Sequence, residues 1–290
     1  MKIKSSTMDK VFVTFNTIFL VLFVTITLYP VLNTVALSFN DGIDAVRGGI
    51  HLWPRIFTLS NYKTVLHQQN ILTGAVVSVA RTVLGTIFSL VTNALLAYII
   101  SRKRFLFRSQ LSLFWVITMY VNGGMIPTLV LYRNMNLTNS FWVYVIPGMV
   151  SAFNVLVMRT FMEGLPSALE ESAMIDGAND FRCLFQFLLP LSKAGLATIS
   201  VFTIVGKWND WYWPMVLLSD ERMYPLAYQV KMALSATGDN LEAGIIDMTK
   251  VFAEGRNGAI IVISLLPIAI VFIALQKYFV QGVMLGAVKS

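Results

Sequence analysis

Apolar residues gather in six long runs, at about 11–39, 71–100, 109–132, 140–158, 191–218 and 258–276, separated by segments that hold most of the charge. An α-helix needs about 20 predominantly apolar residues to cross a bilayer, and only helices and closed barrels satisfy their backbone there. The pattern therefore predicts an all-α membrane protein with six transmembrane helices, forming a single domain over residues 1–290. The first run follows Lys2, Lys4 and Lys10 and stays free of charge from Val11 to Asn40. It is far longer than the roughly 7–15-residue core of a signal peptide, so it is expected to be a retained span, kinked at Pro30.

The polar stretches between the runs have their own patterns. Residues 40–70 and 219–257 are long, mixed in charge and expected to be outer loops, the second with an amphipathic piece around Ala227 to Leu234. Residues 160–190 form the largest segment expected on the opposite side. Within it, Ser167 is placed to cap a helix, with Glu170 three residues on completing a capping box. Gly177 suits the left-handed position that ends a helix, and Asn179 or Asp180 can cap a second one running toward Pro190. A 3.6-residue period puts Leu169, Ser172, Ala173 and Asp176 on one face, a small-residue surface fit for close approach. Local chemistry alone leaves this stretch equally readable as an ordinary amphipathic connector.

Three features interrupt the apolar runs. Arg81 is a charge in the middle of the second run, costly in a bilayer unless it faces protein or finds a partner; packing against a partner subunit is the expected role, with direct substrate contact as the alternative. Asn122-Gly123-Gly124-Met125-Ile126-Pro127 breaks the third run, either lining a pathway or allowing close helix packing. The fifth run holds Lys207-Trp208-Asn209-Asp210-Trp211-Tyr212-Trp213. Its rings suit an interfacial belt or stacking on sugar faces, and Lys207 and Asp210, three apart, are expected to pair on one helix. Asn122, Gly123, Trp208, Asn209, Trp211 and Tyr212 are the candidate substrate-pathway residues.

Composition fits the bilayer reading: 56% of the 290 residues are hydrophobic and only 13% charged. The net charge of +7 is not gathered on one aromatic-laced stripe, so no nucleic-acid partner is expected. The basic residues sit at segment ends, densest at Arg102-Lys103-Arg104 and Arg108, which marks that loop as cytoplasmic and places both termini inside. The outer segments carry as many acids as bases, so they offer no net field for an anionic solute.

The chain also resembles a known family. Glu171-Ser172-Ala173, then Gly177, then Phe187-Leu188-Leu189-Pro190 is similar to the Glu-Ala-Ala…Gly…Ile-x-Leu-Pro signature of permease subunits of binding-protein-dependent ABC importers. Ser172 and Phe187 depart from it. The similarity extends through Asn93 to Arg102, Trp208-Asn209, Tyr224-Pro225-Leu226 and the closing Tyr278 to Lys289, and looks like the carbohydrate-uptake, maltose-transporter type, in the oligosaccharide branch of Gram-positive bacteria. The resemblance implies the type I importer permease fold, with segment 160–190 as a coupling helix that docks on a cytoplasmic ATPase. It implies Glu170, Glu171, Ser172, Ala173, Asp176 and Gly177 as docking residues, with Gln281 and Gly282 in the tail as a second contact. The implied partners are two ATPase subunits that bind ATP and Mg, a second and related permease forming a heterodimer, an extracytoplasmic solute-binding protein and membrane lipid. No cofactor is expected in this chain.

What the chain lacks bears on the same question. It has no Gly-x-x-x-x-Gly-Lys-Ser/Thr loop, so an ATP site is expected elsewhere. Two histidines and one cysteine, Cys183, cannot build a zinc-type cluster, so no metal site is expected. Glu170 and Glu171 point about 100° apart on a helix and do not form a catalytic pair; no catalytic residue is expected. An ion-coupled secondary transporter, a non-transporting scaffold, or a permease of the same family carrying a non-sugar solute stand as alternatives.

Overall fold

The computed structural model describes the backbone of residues 7–242 and 253–287, and the side chains of 7–235 and 254–276 apart from Val46. The described residues are helical with one isolated antiparallel bridge, Asn40 to Phe57. They fall into two compact units, residues 1–69 with 232–265, and residues 70–231 with 266–290.

The first unit contains α1 (Thr7–Ser38), α2 (Gly42–Val46) and α3 (Ser60–Leu66). Helix α1 is apolar all round and none of its most apolar window is buried by the chain, as suits a helix solvated by lipid or by another subunit. Pro30 lies inside this helix. The predicted loop 40–70 is a folded piece. Buried Asn61 donates to the carbonyls of Ser38 and Asn40 at 3.0 and 2.9 Å, and buried Asn40 donates to Asp44 and accepts from the Ile56 amide. These side chains supply the partners that a buried, non-helical backbone requires.

The second unit is organised on α4 (Gln69–Ser101), one continuous span with 44% of its apolar window buried. The third predicted span is two helices, α5 (Arg108–Tyr120) and α6 (Met125–Asn134), bent by 114°. Gly124 at φ +87 makes the turn, and Asn122 accepts from its amide at 2.8 Å. The fourth predicted span, 140–158, is not one helix. A 3₁₀ turn at Phe141–Tyr144 leads through Pro147 and Gly148 to α7 (Ala152–Glu163), capped by Ser151. The fifth is broken twice. Helix α9 (Asp180–Leu191, π-helical over Cys183–Leu188) meets α10 (Lys193–Asn209) at 83°, and α10 ends before the short α11 (Tyr212–Leu217). The bend therefore falls at Ser192 and not at Pro190, which α9 runs through. Helix α8 (Ser167–Ile175) precedes α9.

Two further helices close the chain: α12 (Leu226–Glu242) and α13 (Ala253–Ala287). The predicted outer loop 219–257 is thus largely helical where described. By length and composition three helices among the described residues can cross a membrane, or up to five if each bent pair counts as one span. The runs expected from hydropathy to be spans are here a few continuous helices and several broken ones.

Broken backbone in a bilayer must find partners within protein, and side chains of α4 supply many of them. Asn93, fully buried, donates to the Met149 carbonyl at 3.1 Å and accepts from the Ser151 amide at 2.9 Å, and Thr92 also donates to Met149. Ser78 accepts from the Leu226 amide at 2.8 Å. The segment that interrupts the fourth run is pinned to the one continuous span of this unit.

Helices α7 and α10 pack tightly. A Cβ on Gly195 of α10 would lie 2.7 Å from the Phe161 ring of α7. Gly195→Leu is expected to cost about 1–3 kcal/mol by overpacking, read as a lower melting temperature of the detergent-solubilised protein, with Gly206→Leu, at an open position, as the control.

Candidate functional site

The polar stretch 166–190 folds as helix, glycine joint, helix. Asp176 ends α8, and Gly177 takes φ +83 with its amide bonded to the Met174 carbonyl at 3.0 Å. The Ala178 amide reaches back to the Ala173 carbonyl at 2.9 Å, closing the end of the helix in a Schellman-type turn. Asn179 caps α9 by accepting from the Arg182 amide at 2.9 Å. The predicted capping box does not form: Pro166 occupies the cap position, Ser167 is the first helical residue, and no side-chain cap bond is made.

Glu170 is engaged elsewhere, because a half-buried guanidinium is a stronger partner than a backbone amide. Its carboxylate pairs with Arg102 and accepts from the Tyr98 hydroxyl at 3.2 Å, both from the end of α4 and its loop. Tyr98 also donates to Asp180 at 2.8 Å, and Arg104 pairs with Asp180. Burial lowers the pKa of the Arg102 guanidinium, as removal from water disfavours the charged form. A second clasp lies beside it, with Arg108 and Arg159 both on Glu163, at 2.6 and 2.9 Å. The basic loop Arg102-Lys103-Arg104 and Arg108 is therefore the strap that ties α8 and α9 to α4 and α7.

This sorts the expected docking residues. Glu171, Ser172, Asp176 and Gly177 are exposed, while Ala173 is buried at 4% and Glu170 is turned inward to Arg102. The small residue thus lets α8 pack down, and the outward face is acidic around Ile175, an apolar side chain left 86% exposed. The local pattern does not mark Ile175; its signal is an apolar residue off the face that carries buried Ala173. Gln281 and Gly282 fall on the α13 backbone, outside the residues whose side chains are described. No atom lies within 4 Å of a Cβ built on Gly177, so strain there comes from φ alone. Gly177→Val is expected to cost about 1–2 kcal/mol and Gly177→Asn less, seen as faster hydrogen exchange of 167–182.

The other expected residues gather at the far end of the second unit. Arg81 is 2% exposed and donates to the carbonyls of Lys207 and Asp210, with the Asp210 carboxylate 3.8 Å away and its guanidinium over the Tyr144 ring at 4.9 Å. Its partners lie within this chain, which replaces the expected packing against another subunit: it closes the C-terminal end of α10, where a cation is favoured. The expected Lys207–Asp210 pair is also corrected. Helix α10 stops at Asn209, Asp210 turns to cap α11 through the Tyr212 and Trp213 amides, and Lys207 donates to the Tyr144 carbonyl at 2.9 Å.

Of the candidate pathway residues, Trp208 is buried, while Asn209, Trp211, Asn122 and Gly123 are exposed. Tyr212 touches Met125, so the break between α10 and α11 meets the bend between α5 and α6. Among the described residues no group of histidine, cysteine and acidic side chains is arranged to hold a metal ion.

Broken spans, side chains that satisfy their backbone, and an acid-bearing helix strapped to a basic loop define a polytopic membrane protein with an exposed acidic helix face. The chain belongs to the family of binding-protein-dependent transport system inner membrane components, whose sequence pattern matches residues 82–285. It is 34% identical over 276 residues to the polygalacturonan/rhamnogalacturonan transport system permease protein YtcP of Bacillus subtilis, covering 94% of this chain and 96% of that one. It is 27% identical to the arabinooligosaccharides transport system permease protein AraQ of Halalkalibacterium halodurans, covering 91% and 92%. Among solved structures it matches, with a TM-score of 0.86 and 31% identity over 96% of this chain and 100% of the other, a bacterial ABC transporter involved in the import of the acidic polysaccharide alginate.

Proposed function

We propose that this chain is the permease subunit of an ATP-driven importer of carbohydrate, of the complex-oligosaccharide kind. The observation that carries the reading is the outward face of α8, with Glu171, Ser172, Ile175 and Asp176 exposed while Glu170 and Asp180 are fastened to Arg102 and Arg104. A force applied to that face is delivered to α4 and not lost in a loose loop. Likeness to saccharide permeases over nine-tenths of the chain supports the substrate class.

In this reading two cytoplasmic ATPase subunits, which hold ATP and Mg, dock on α8 of this chain and of a second, related permease, so that the membrane part is a heterodimer. Both termini face the cytoplasm. A solute-binding protein delivers the saccharide to the outer segments 40–70 and 219–257. ATP closure shifts the permease pair outward, and hydrolysis returns it inward. The ATPase can shift that equilibrium only through contacts that differ between the two states. The chain itself carries no hydrolytic role.

The test is uptake of a labelled oligosaccharide into vesicles holding the full complex. Uptake is expected to require ATP and the binding protein and to persist when the proton gradient is collapsed. Uptake that follows the ion gradient and ignores ATP would establish ion coupling instead.

A further inference from the structure

Lys207 stands in an unusual position for a cation within an apolar run. It is half-buried in a slot walled by glycine: a Cβ on Gly85 would lie 2.5 Å from its side chain, and one on Gly148 would lie 2.6 Å from its Nζ. Two places where any larger residue would collide keep room for this one ammonium. Its hydrogen bond to the Tyr144 carbonyl uses one of three donors. Among the described residues no carboxylate is in ion-pair contact with it. Asp210, three residues on, is turned to Arg81 and to the α11 amides.

Beside Lys207 lies a cavity of about 190 Å³, lined by Arg81, Tyr132, Tyr144, Trp213 and Asp210 among others. Two cations against one acid leave it net positive. Arg81 is 2% exposed; its Nε and Nη1 make no hydrogen bond, and Nη1 lies 3.8 Å from the Asp210 carboxylate. Buried positive charge in excess of its carboxylates is costly, and the group that offsets it beside the unused donors of Lys207 is an anion with several acceptor oxygens. The Tyr132 and Trp213 rings, with centroids 5.4 Å apart, add an aromatic wall. The volume is below the roughly 300–1,000 Å³ of a site for a drug-sized ligand, so it suits one ring of a longer chain.

We propose that this cavity binds the carboxylate of an acidic saccharide, with Lys207 as its main counter-charge, Arg81 as a second positive charge behind it and Tyr132 and Trp213 against the sugar ring. The inference rests on the carbohydrate-importer reading and narrows it to uronate-bearing chains. It also answers the equal balance of charge over the outer segments: selectivity for an anion arises from one buried cluster and needs no net field.

The experiment uses the complete transporter in lipid nanodiscs, without the solute-binding protein, and measures equilibrium binding of labelled digalacturonate and of its uncharged dimethyl ester. Wild type is expected to bind the acid at least tenfold more tightly than the ester. Lys207→Met is expected to remove that preference, weakening the acid about tenfold and leaving the ester where it was; Lys207→Gln provides the same readout should the first variant not assemble. Equal binding of acid and ester by wild type overturns the proposal, as does an equal loss of both in the variants. Dissociation of the two permeases on loss of Lys207 also overturns it, because the counter-charge would then be a carboxylate of the neighbouring subunit. ATP-driven uptake of neutral oligosaccharide alongside any of these results leaves the importer reading standing, whereas absence of all saccharide uptake removes both.

Discussion

Arg81→Met is expected to destabilise the chain by about 3–5 kcal/mol, the cost of removing one partner from a buried ionic cluster. The substitution leaves the Lys207 and Asp210 carbonyls without their donor and the Asp210 carboxylate without its guanidinium. It also removes the cation from the Tyr144 ring. The side chain does the work that a continued helix would do, since α10 ends where these carbonyls begin. Arg81→Lys is expected to recover only part of the loss, because one ammonium cannot reach carbonyls and carboxylate in the planar fork of an arginine. The measurement is the melting temperature and folded yield in detergent; a methionine variant that melts with wild type would show that the cluster is dispensable.

The second large effect is expected at neighbouring glutamates with opposite outcomes. Glu170→Ala leaves Arg102, itself only 13% exposed in its side chain, without its carboxylate, at a cost of about 3 kcal/mol. It also loosens α8 from α4, so the complex is expected to hydrolyse ATP while its uptake falls at least tenfold. Glu171→Ala alters an exposed position; stability is expected to stay within about 0.5 kcal/mol, and the loss to appear as weaker retention of the ATPase. The exchange Arg102→Glu with Glu170→Arg is expected to restore part of the coupling that either change alone removes. Equal behaviour of the two alanine variants would contradict the inward and outward assignments.

Local rules read part of this molecule well. The second span was expected at 71–100 and is found at Gln69–Ser101, because an unbroken apolar run needs no distant partner to become a helix. Gly177 and Asn179 were legible for the same reason: a left-handed turn and a cap are made within a few residues. Family membership, too, was carried by residues already visible in 166–190.

The breaks were illegible because their causes lie far away in sequence. Hydropathy draws 140–158 as a span, yet Asn93, 56 residues before Met149, offers its backbone an alternative to the helix. Arg81 does the same for 207–210 across more than 120 residues. The capping box at Ser167 and Glu170 failed in the same way, since a local rule was outbid by Arg102, 68 residues distant. Trp213 and Lys207 became informative only once the cavity they share with Arg81 was in view.

The central claim is that the outward face of α8 is where another protein's ATP cycle enters this chain. Cys183 is the one cysteine and is buried, so Cys183→Ser followed by a single cysteine at Ser172 gives a clean probe. In membrane vesicles with the full complex, a short bifunctional reagent is expected to join position 172 to the ATPase subunit, with a yield that changes when ATP is trapped, while a cysteine at buried Ala173 is expected to give no product. Absence of any ATPase adduct at position 172, with ATP-driven uptake intact, would contradict the account.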